Sequence, residues 1–225
     1  MTGETKALIG ISLVTFLIFI GGIVMLNRKN TVVLEPQNID PTVLIREDSH
    51  LLQAEDERVM LVEFADFQCS FCASAHPIIS QLLLTYPDKL SFVARHFPLS
   101  QYQHSMLSAE AAEAAGDQGK FWEMYDLIYT HQADWESASN DEARAIFVSF
   151  AEQLELNLEQ FNTALDNHTF RDKVLRDAAD GNAAGVTGTP AFFVDGVRFT
   201  GSLQNLVTLI EARINTTEEV VENEN

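Results

Sequence analysis

The fold is decided by residues 59–72, which read Val59-Met60-Leu61-Val62-Glu63-Phe64-Ala65-Asp66-Phe67-Gln68-Cys69-Ser70-Phe71-Cys72. The stretch from Val59 to Phe64 is mostly apolar and bounded by charge, which predicts a buried strand. Cys69 and Cys72 are the only 2 cysteines among the 225 residues. A strand that leads into Cys-x-x-Cys and then a helix is typical of a dithiol/disulfide redox centre. Since there is no third cysteine, the predicted partner of the pair is a thiol or disulfide of another protein.

The segments on either side of this stretch predict an α/β fold. A helical pattern runs from Ser70 to about Tyr86, and Pro77 is expected to kink that helix. A second core strand and a helical block follow, and Asp195-Gly196 is a strong hairpin turn between two late strands. The predicted strands and the last helix are Leu90–Ala94, Ala191–Val194, Val197–Thr200 and Leu203–Ile214. This order indicates a thioredoxin-type arrangement with a helical domain inserted between its two halves.

Residues 7–26 carry no charge and are mostly apolar. About 20 such residues match the roughly 30 Å hydrocarbon core of a bilayer, which predicts one N-terminal transmembrane helix. The alternative is a cleaved signal peptide, whose apolar region is shorter and ends in small residues. Here Met25-Leu26-Asn27-Arg28-Lys29 follows the run, which favours an uncleaved anchor.

Changes in composition divide the chain into four parts. We predict a membrane anchor at 1–29, a linker and N-terminal extension at 30–57, and a thioredoxin-like domain at 58–214. The helical insertion within that domain is expected at about 101–184. Residues 215–225 are predicted to form an acidic, disordered tail.

The formal net charge of -19 argues against a nucleic-acid partner, while the charges beside the predicted anchor leave its orientation in the membrane open. So acidic a surface repels nucleic acid, so no nucleic-acid role is expected. Lys6 precedes the predicted anchor while Arg28 and Lys29 follow it, so the positive-inside rule does not assign its orientation. Because oxidising dithiol chemistry belongs outside the cytoplasm, we predict a single-pass membrane protein with an extracytoplasmic domain.

The two cysteines are expected to differ in reactivity. If Cys69 caps the helix, its sulfur faces the positive end of the helix dipole, which favours an exposed, acidic thiol. Cys72 lies one turn later and is expected to be deeper and shielded. The alternative is half of a zinc site, in which Cys69, Cys72 and His76 line one helix face. That set is one ligand short of the usual four, so we predict no metal.

Two further residues could act on the cysteines. A cis peptide bond before Pro190 would bring the backbone of Thr189 beside the sulfurs, free to pair with a client strand. An ordinary turn proline is the alternative, since only about 5–6% of X–Pro bonds are cis. Glu63 lies in the apolar strand, where a buried carboxyl of raised pKa could exchange a proton with Cys72. The alternative is an edge-exposed glutamate.

Aromatic residues near the pair predict an apolar client surface. Phe67, Phe71 and Phe97 could form an apolar rim around the sulfurs, as suits a catalyst that handles unfolded chains. Ordinary core packing of these residues is the alternative.

Taken together, these segments resemble the DsbA family of thioredoxin-fold thiol-disulfide oxidoreductases, especially its membrane-anchored members. The matching segments are Val62–Cys72, Arg95–Leu99, Ala111–Tyr129 and Gly188–Gly196. The resemblance implies that Cys69 is the nucleophile, Cys72 the resolving cysteine, Pro190 the cis-proline and Glu63 the buried acid. Strongly oxidising members carry Pro-His between the cysteines, whereas this chain has Ser70-Phe71, so a less oxidising disulfide is expected.

The predicted function is disulfide exchange with exported proteins, most simply as a dithiol oxidase. Clients would be unfolded or partly folded proteins with thiols, contacted by Thr189 and Phe71, and a membrane redox partner would reoxidise the pair. No cofactor is expected other than the redox-active disulfide Cys69–Cys72. A reductase or isomerase with the same site, and a non-catalytic metal-binding or partner-binding module, are the alternatives.

Overall fold

A computed structural model describes the backbone of residues 33–35 and 40–222 and the side chains of residues 40–216. The anchor predicted over residues 7–26 lies outside this part of the chain. Within the described part, no helix is both long and apolar enough to cross a bilayer.

The described residues form six strands and nine helices. The strands are β1 (Val33–Glu35), β2 (His50–Leu52), β3 (Val59–Ala65), β4 (Leu90–His96), β5 (Ala191–Val194) and β6 (Val197–Thr200). The helices are α1 (Pro41–Leu44), α2 (Ser70–Thr85), α3 (Ser105–Gly116), α4 (Phe121–Thr130), α5 (Gln132–Trp135), α6 (Asn140–Gln153), α7 (Leu158–Asp166), α8 (Arg171–Ala183) and α9 (Leu203–Glu222).

One sheet organises these elements, with the strand order β1-β6-β5-β3-β4-β2. Strands β3 and β4 are parallel, from Val59 opposite Leu90 to Ala65 opposite His96. Strand β5 pairs antiparallel on the other side of β3. Because β3 is covered on both faces, nearly every residue in it is buried, which explains why all of its residues except Glu63 are apolar. The end of this central strand delivers the chain to Cys69 at the start of α2.

The predicted thioredoxin-like α/β fold is confirmed. Six helices, α3 to α8, lie between β4 and β5 in the chain, where the sequence predicted a helical insertion. Pro77 lies inside α2, as predicted.

Both ends of the domain extend further than the sequence predicted. Residues 33–35 were assigned to the linker and extension, yet they pair with β6 as an edge strand. Residues 50–52, which were also assigned to the linker and extension, form the opposite edge by pairing with β4. Strands of three residues are too short to show the alternation by which a strand is recognised in a sequence. These two edge strands are held by backbone pairing with a single neighbour. The prediction of disorder for 215–225 is wrong for 215–222, since α9 continues to Glu222. Glutamates are good helix formers, and extending a helix adds one hydrogen bond per residue.

A buried ion cluster joins the sheet to the helical insertion. The guanidinium of Arg95 on β4 contacts Asp177 Oδ1 at 2.8 Å and Asp180 Oδ2 at 2.7 Å, both on α8. It also donates to the carbonyl oxygen of Leu44 at 2.7 Å. Arg46 pairs with Asp180 from the other side, and this hydrogen bond, together with those from Arg95, lowers the pKa of Asp180. The cluster therefore fixes α8 and the end of α1 against β4.

Candidate redox site

Cys69 is the N-cap residue of α2, with extended backbone angles (φ -76°, ψ 120°). Its backbone N–H donates to the carbonyl oxygen of Asp66 at 3.1 Å, and its carbonyl accepts from Ala73 at 3.0 Å. The loop that leads from β3 to the helix is therefore closed by its own backbone. The Cys69 sulfur consequently lies at the helix end where backbone N–H groups lack helical partners.

Asp66 ties this loop to the helical insertion. Its carboxylate accepts hydrogen bonds from Gln68 N (2.8 Å), Leu99 N (2.7 Å) and Ser105 Oγ (2.6 Å). Asp66 closes a turn through its contact with Gln68 N, two residues later. Its contacts with Leu99 and Ser105 also hold the start of the helical insertion beside the cysteines.

Two glutamines complete the hold on the loop, and sequence reasoning missed both. Gln132 Nε2 donates to the carbonyl oxygen of Phe67 at 2.6 Å. Gln68 accepts from His104 N at 2.6 Å and donates to the carbonyl oxygen of Glu136 at 2.7 Å. The position of Gln68 next to Cys69 was the one signal that could have suggested a role for it. Nothing in a single sequence connects Gln132 with Phe67, since 65 positions separate them.

Cys69 and Cys72 are free thiols in the structure, and both are buried. The expectation that Cys69 is exposed is wrong, because only 2% of that residue is accessible. In the thiol form its Sγ donates to the carbonyl oxygen of Thr189 at 3.4 Å, and the phenol of Tyr102 approaches the same sulfur. A client that reaches Cys69 therefore has to displace these neighbours.

The two thiols have opposite acidities. A hydrogen bond from Cys72, followed by the nearby Thr189 hydroxyl and the backbone amides of Cys72 and Phe71, lowers the pKa of Cys69 to about 5. Burial, with the hydrogen bond to Cys69 and the charge of Glu63, raises the pKa of Cys72 well above its ordinary value. At neutral pH, Cys69 is thus a thiolate and Cys72 a thiol. Only the thiolate form of a cysteine attacks disulfides.

We expect thiolate absorbance at about 240 nm in the reduced protein to rise with a midpoint near pH 5, because the hydrogen bonds at the helix end favour the charged sulfur. Titration of a Cys69→Ser variant is the control and should lack this transition, leaving only the much higher one of Cys72. A midpoint near the free-cysteine value of about 8.5 would contradict the described hydrogen bonding, as would one at about 3.5.

The peptide bond between Thr189 and Pro190 is cis, as the sequence analysis predicted. It lies directly before β5, which pairs with β3, and so is held beside the loop that carries the cysteines. The carbonyl of Thr189 accepts from Cys69, which confirms that the Thr189 backbone lies at the sulfurs.

Glu63 is buried in β3, with 1% of the residue exposed, so the alternative of an edge-exposed glutamate is wrong. Burial raises the pKa of its carboxyl to about 8. Tyr125 Oη donates to Glu63 Oε2 at 3.4 Å. The charge of Glu63 in turn contributes to the raised pKa of Cys72, which places the two groups within electrostatic reach of each other.

The predicted apolar rim is reduced to one residue. Phe71 is 72% exposed, but Phe67 and Phe97 are only 4% and 7% exposed. The ring of Phe67 packs against those of Tyr125 and Tyr129, with centroids 5.4 and 4.8 Å away. The prediction is wrong for Phe67 and Phe97, because the helical insertion packs against both rings.

His76 makes its described contacts with α4. Its Nε2 lies 2.8 Å from Asp126 Oδ1, and its ring stacks on that of Tyr129 with centroids 5.2 Å apart. Among residues with described side chains, no group of three or more histidine, cysteine, aspartate or glutamate residues is arranged to hold a metal ion.

The β3–α2–β4 core carries an acidic thiol at the helix cap and a second, buried thiol, with a cis-proline strand beside them. These features define a thioredoxin-fold dithiol protein. A family model described as Thioredoxin matches residues 46–212. The chain therefore belongs to the thioredoxin family.

Solved structures with the same fold include DsbA-like proteins. The structure of alpha-DsbA1 from Wolbachia pipientis aligns with a TM-score of 0.68 at 17% identity, covering 80% of this chain and 98% of that one. BdbD from Bacillus subtilis aligns with a TM-score of 0.65 at 19% identity, covering 74% of this chain and 93% of that one. At these identities the likeness shows the shared fold.

Curated relatives are more similar in sequence but much longer. The chain is 34% identical over 205 residues to Na(+)/H(+) antiporter NhaA 1 of Salinispora arenicola, covering 89% of this chain and 30% of the relative. It is 36% identical over 170 residues to Na(+)/H(+) antiporter NhaA of Herminiimonas arsenicoxydans, covering 76% of this chain and 25% of the relative. The chain thus spans less than a third of these relatives, and their names describe the whole relatives.

Proposed function

We propose that the protein is a thiol-disulfide oxidoreductase that exchanges disulfides with exported proteins, working chiefly as a dithiol oxidase. The observation that carries this proposal is the split acidity of the pair: the pKa of Cys69 is lowered to about 5, while that of Cys72 is raised. Such a split separates an attacking and leaving sulfur from a resolving sulfur. One structural neighbour, alpha-DsbA2 of Wolbachia pipientis, is described as a thiol-disulfide exchange protein, which supports the assignment.

The reaction starts from the oxidised pair. A client thiolate attacks the sulfur of Cys69, the Cys69–Cys72 bond breaks, and the electron pair passes to Cys72. Because a buried thiolate at Cys72 is unfavourable, it takes the proton of the nearby Glu63 carboxyl. A second client thiolate then attacks the client sulfur of the mixed disulfide, and Cys69 leaves as a thiolate. The client loses two electrons, the pair gains them, and a membrane redox partner reoxidises the pair.

Client binding uses the two sides of the Cys69 sulfur. The Thr189 backbone lies against that sulfur and would pair with an extended client segment, so that main-chain hydrogen bonds supply affinity without demanding a sequence. The exposed ring of Phe71 would contact apolar side chains of the same client. Both contacts suit chains that are not yet folded.

The location follows from the chemistry and the N-terminal sequence. We place the dithiol domain outside the cytoplasm, where thiols are not kept reduced, and attach it to the membrane through residues 7–26. A protease added to intact cells should cleave within the domain, whereas a cytoplasmic domain would be protected.

The reduction potential separates an oxidase from a reductase or isomerase with the same site. A Cys69 pKa of about 5 stabilises the dithiol form, so we expect a potential between about -120 and -220 mV when the protein is equilibrated with glutathione buffers. Phe71→His is the matched variant, since it introduces the residue found in strongly oxidising members, and its potential should be higher. A wild-type potential at about -270 mV would assign the protein to disulfide reduction.

A further inference from the structure

A groove of about 220 Å³ lies beside the cysteine site, between α2, α4 and strands β2 and β4. Most of its lining side chains are apolar, including Leu83 and Trp122. Its polar lining residues are Ser80, Tyr125, His76 and Asp126, and the last three contact one another. The disulfide chemistry described above assigns no role to this groove.

Tyr125 connects the groove with the buried acid of the redox site. Its hydroxyl donates to Glu63 Oε2 at 3.4 Å, and the same side chain lines the groove. Burial raises the pKa of Tyr125 well above its ordinary value, so the phenol stays protonated and remains a donor. Tyr125 is therefore a residue that contacts Glu63 and also lines the groove.

A polar pair marks the outer side of the groove. His76 Nε2 lies 2.8 Å from Asp126 Oδ1, and the Asp126 side chain is 64% exposed. The ring centroids of His76 and Tyr125 are 5.5 Å apart. An imidazole can accept a proton at one nitrogen and release one at the other, so this pair can pass protons between groove and solvent.

Glu63 needs such a connection, because 1% exposure leaves it almost no contact with solvent. Its neighbours in the sheet cannot help, since Ala94 of β4 and Phe192 of β5 lie opposite it. The titratable groups that act on it are Cys69 and Cys72 from α2 and the tyrosines of α4. Of these, Tyr125 is the one that both hydrogen-bonds to Glu63 and lines the groove.

We propose that Tyr125 is a positioning residue that relays protons between Glu63 and water in the groove, with His76 and Asp126 at its mouth. This inference rests on the proposed function. After Glu63 has given its proton to Cys72, the Tyr125 hydroxyl gives its proton to the carboxylate and takes one from water. Tyr125 is unchanged at the end, and one proton has moved from solvent to Glu63. The reverse sequence releases a proton when Cys72 closes the disulfide.

The test follows closure of the Cys69–Cys72 disulfide from a Cys69–glutathione mixed disulfide, by acid quench and alkylation, across a pH series. In the wild-type protein the rate should rise through about pH 8, because Glu63 must lose its proton before it can accept that of Cys72. In Tyr125→Phe we expect the midpoint to rise by about one pH unit, since a hydrogen bond to the carboxylate is lost. The plateau rate should fall about tenfold, since the relay is lost.

Tyr129→Phe is the matched control. Tyr129 lies one turn later on α4, with its ring centroid 4.9 Å from that of Tyr125. Its buried hydroxyl has no hydrogen-bond partner among the described residues. Tyr129→Phe removes a phenol oxygen from the same helix but leaves the hydrogen bond between Tyr125 and Glu63 in place. The midpoint should therefore stay at its wild-type pH, and the plateau rate should stay within about twofold of wild type.

A double-mutant cycle with Glu63→Gln separates relay from packing. Glu63→Gln should flatten the pH profile, and adding Tyr125→Phe should then change the rate by less than about twofold. The inference is overturned if Tyr125→Phe superimposes on wild type, or if it slows Glu63→Gln about as much as wild type. Failure of the proposed function is a different result, in which the wild-type protein itself shows no closure.

Discussion

Replacement of Cys69 by serine is expected to reduce disulfide exchange to the uncatalysed background. The reason is that Cys69 carries the thiolate at neutral pH, whereas burial keeps Cys72 protonated and shielded. The remaining Cys72 stays a thiol at neutral pH, because burial raises its pKa well above the ordinary value, so it cannot attack a client disulfide. Oxidation of a reduced, unfolded client and reduction of insulin both measure this loss.

Two further variants sharpen this expectation. Cys72→Ser should still form a mixed disulfide with a client but should be unable to resolve it, so the adduct accumulates. Gln81→Ala, an exposed position on the same helix, should keep the wild-type rate. Substantial turnover by Cys69→Ser would show that the chemistry takes place elsewhere.

Arg95→Ala is expected to lower the free energy of unfolding by about 3–5 kcal/mol. The side chain of Arg95 is fully buried, and it contacts two aspartates whose side chains are 3% and 7% exposed. Removing the guanidinium leaves Asp177 with an uncompensated buried charge, and Asp180 with only its Arg46 partner. Urea unfolding, followed by far-UV circular dichroism, measures the change.

The control for Arg95→Ala is an exposed ion pair. Lys120 and Glu123 are 43% and 45% exposed, so Lys120→Ala should cost at most about 1 kcal/mol. If Arg95→Ala cost no more than Lys120→Ala, the buried cluster would not hold α8 against the sheet.

The parts of the site that the sequence predicted are those encoded locally. Cys69, the helix that follows it and the buried strand before it lie within one stretch, so periodicity and spacing were enough to place them. Glu63 was recognised because a single carboxyl interrupts an apolar run, and its burial is confirmed. Pro190 was recognised from a breaker cluster before a strand, and its cis bond is present.

The parts that the sequence missed depend on contacts between distant segments. Thr189 covers the Cys69 sulfur from 120 positions away, so no local pattern could show that this thiol is buried. Phe67 turns into the core because helix α4 supplies Tyr125 and Tyr129 to pack against it. The same helix places a hydroxyl on Glu63 from 62 positions away, which is why the connection to the groove became visible only in the fold.

The central claim is that Cys69 is the reactive sulfur of the folded, reduced protein, and differential alkylation tests it most directly. A brief pulse of iodoacetamide at about pH 6, followed by unfolding and a second, isotopically heavy pulse, records which thiol reacts first. We predict that the first label is found on Cys69 and the second on Cys72, because their pKa values are shifted in opposite directions. A first label on Cys72, or two thiols that both stay inert until the protein unfolds, would contradict the account.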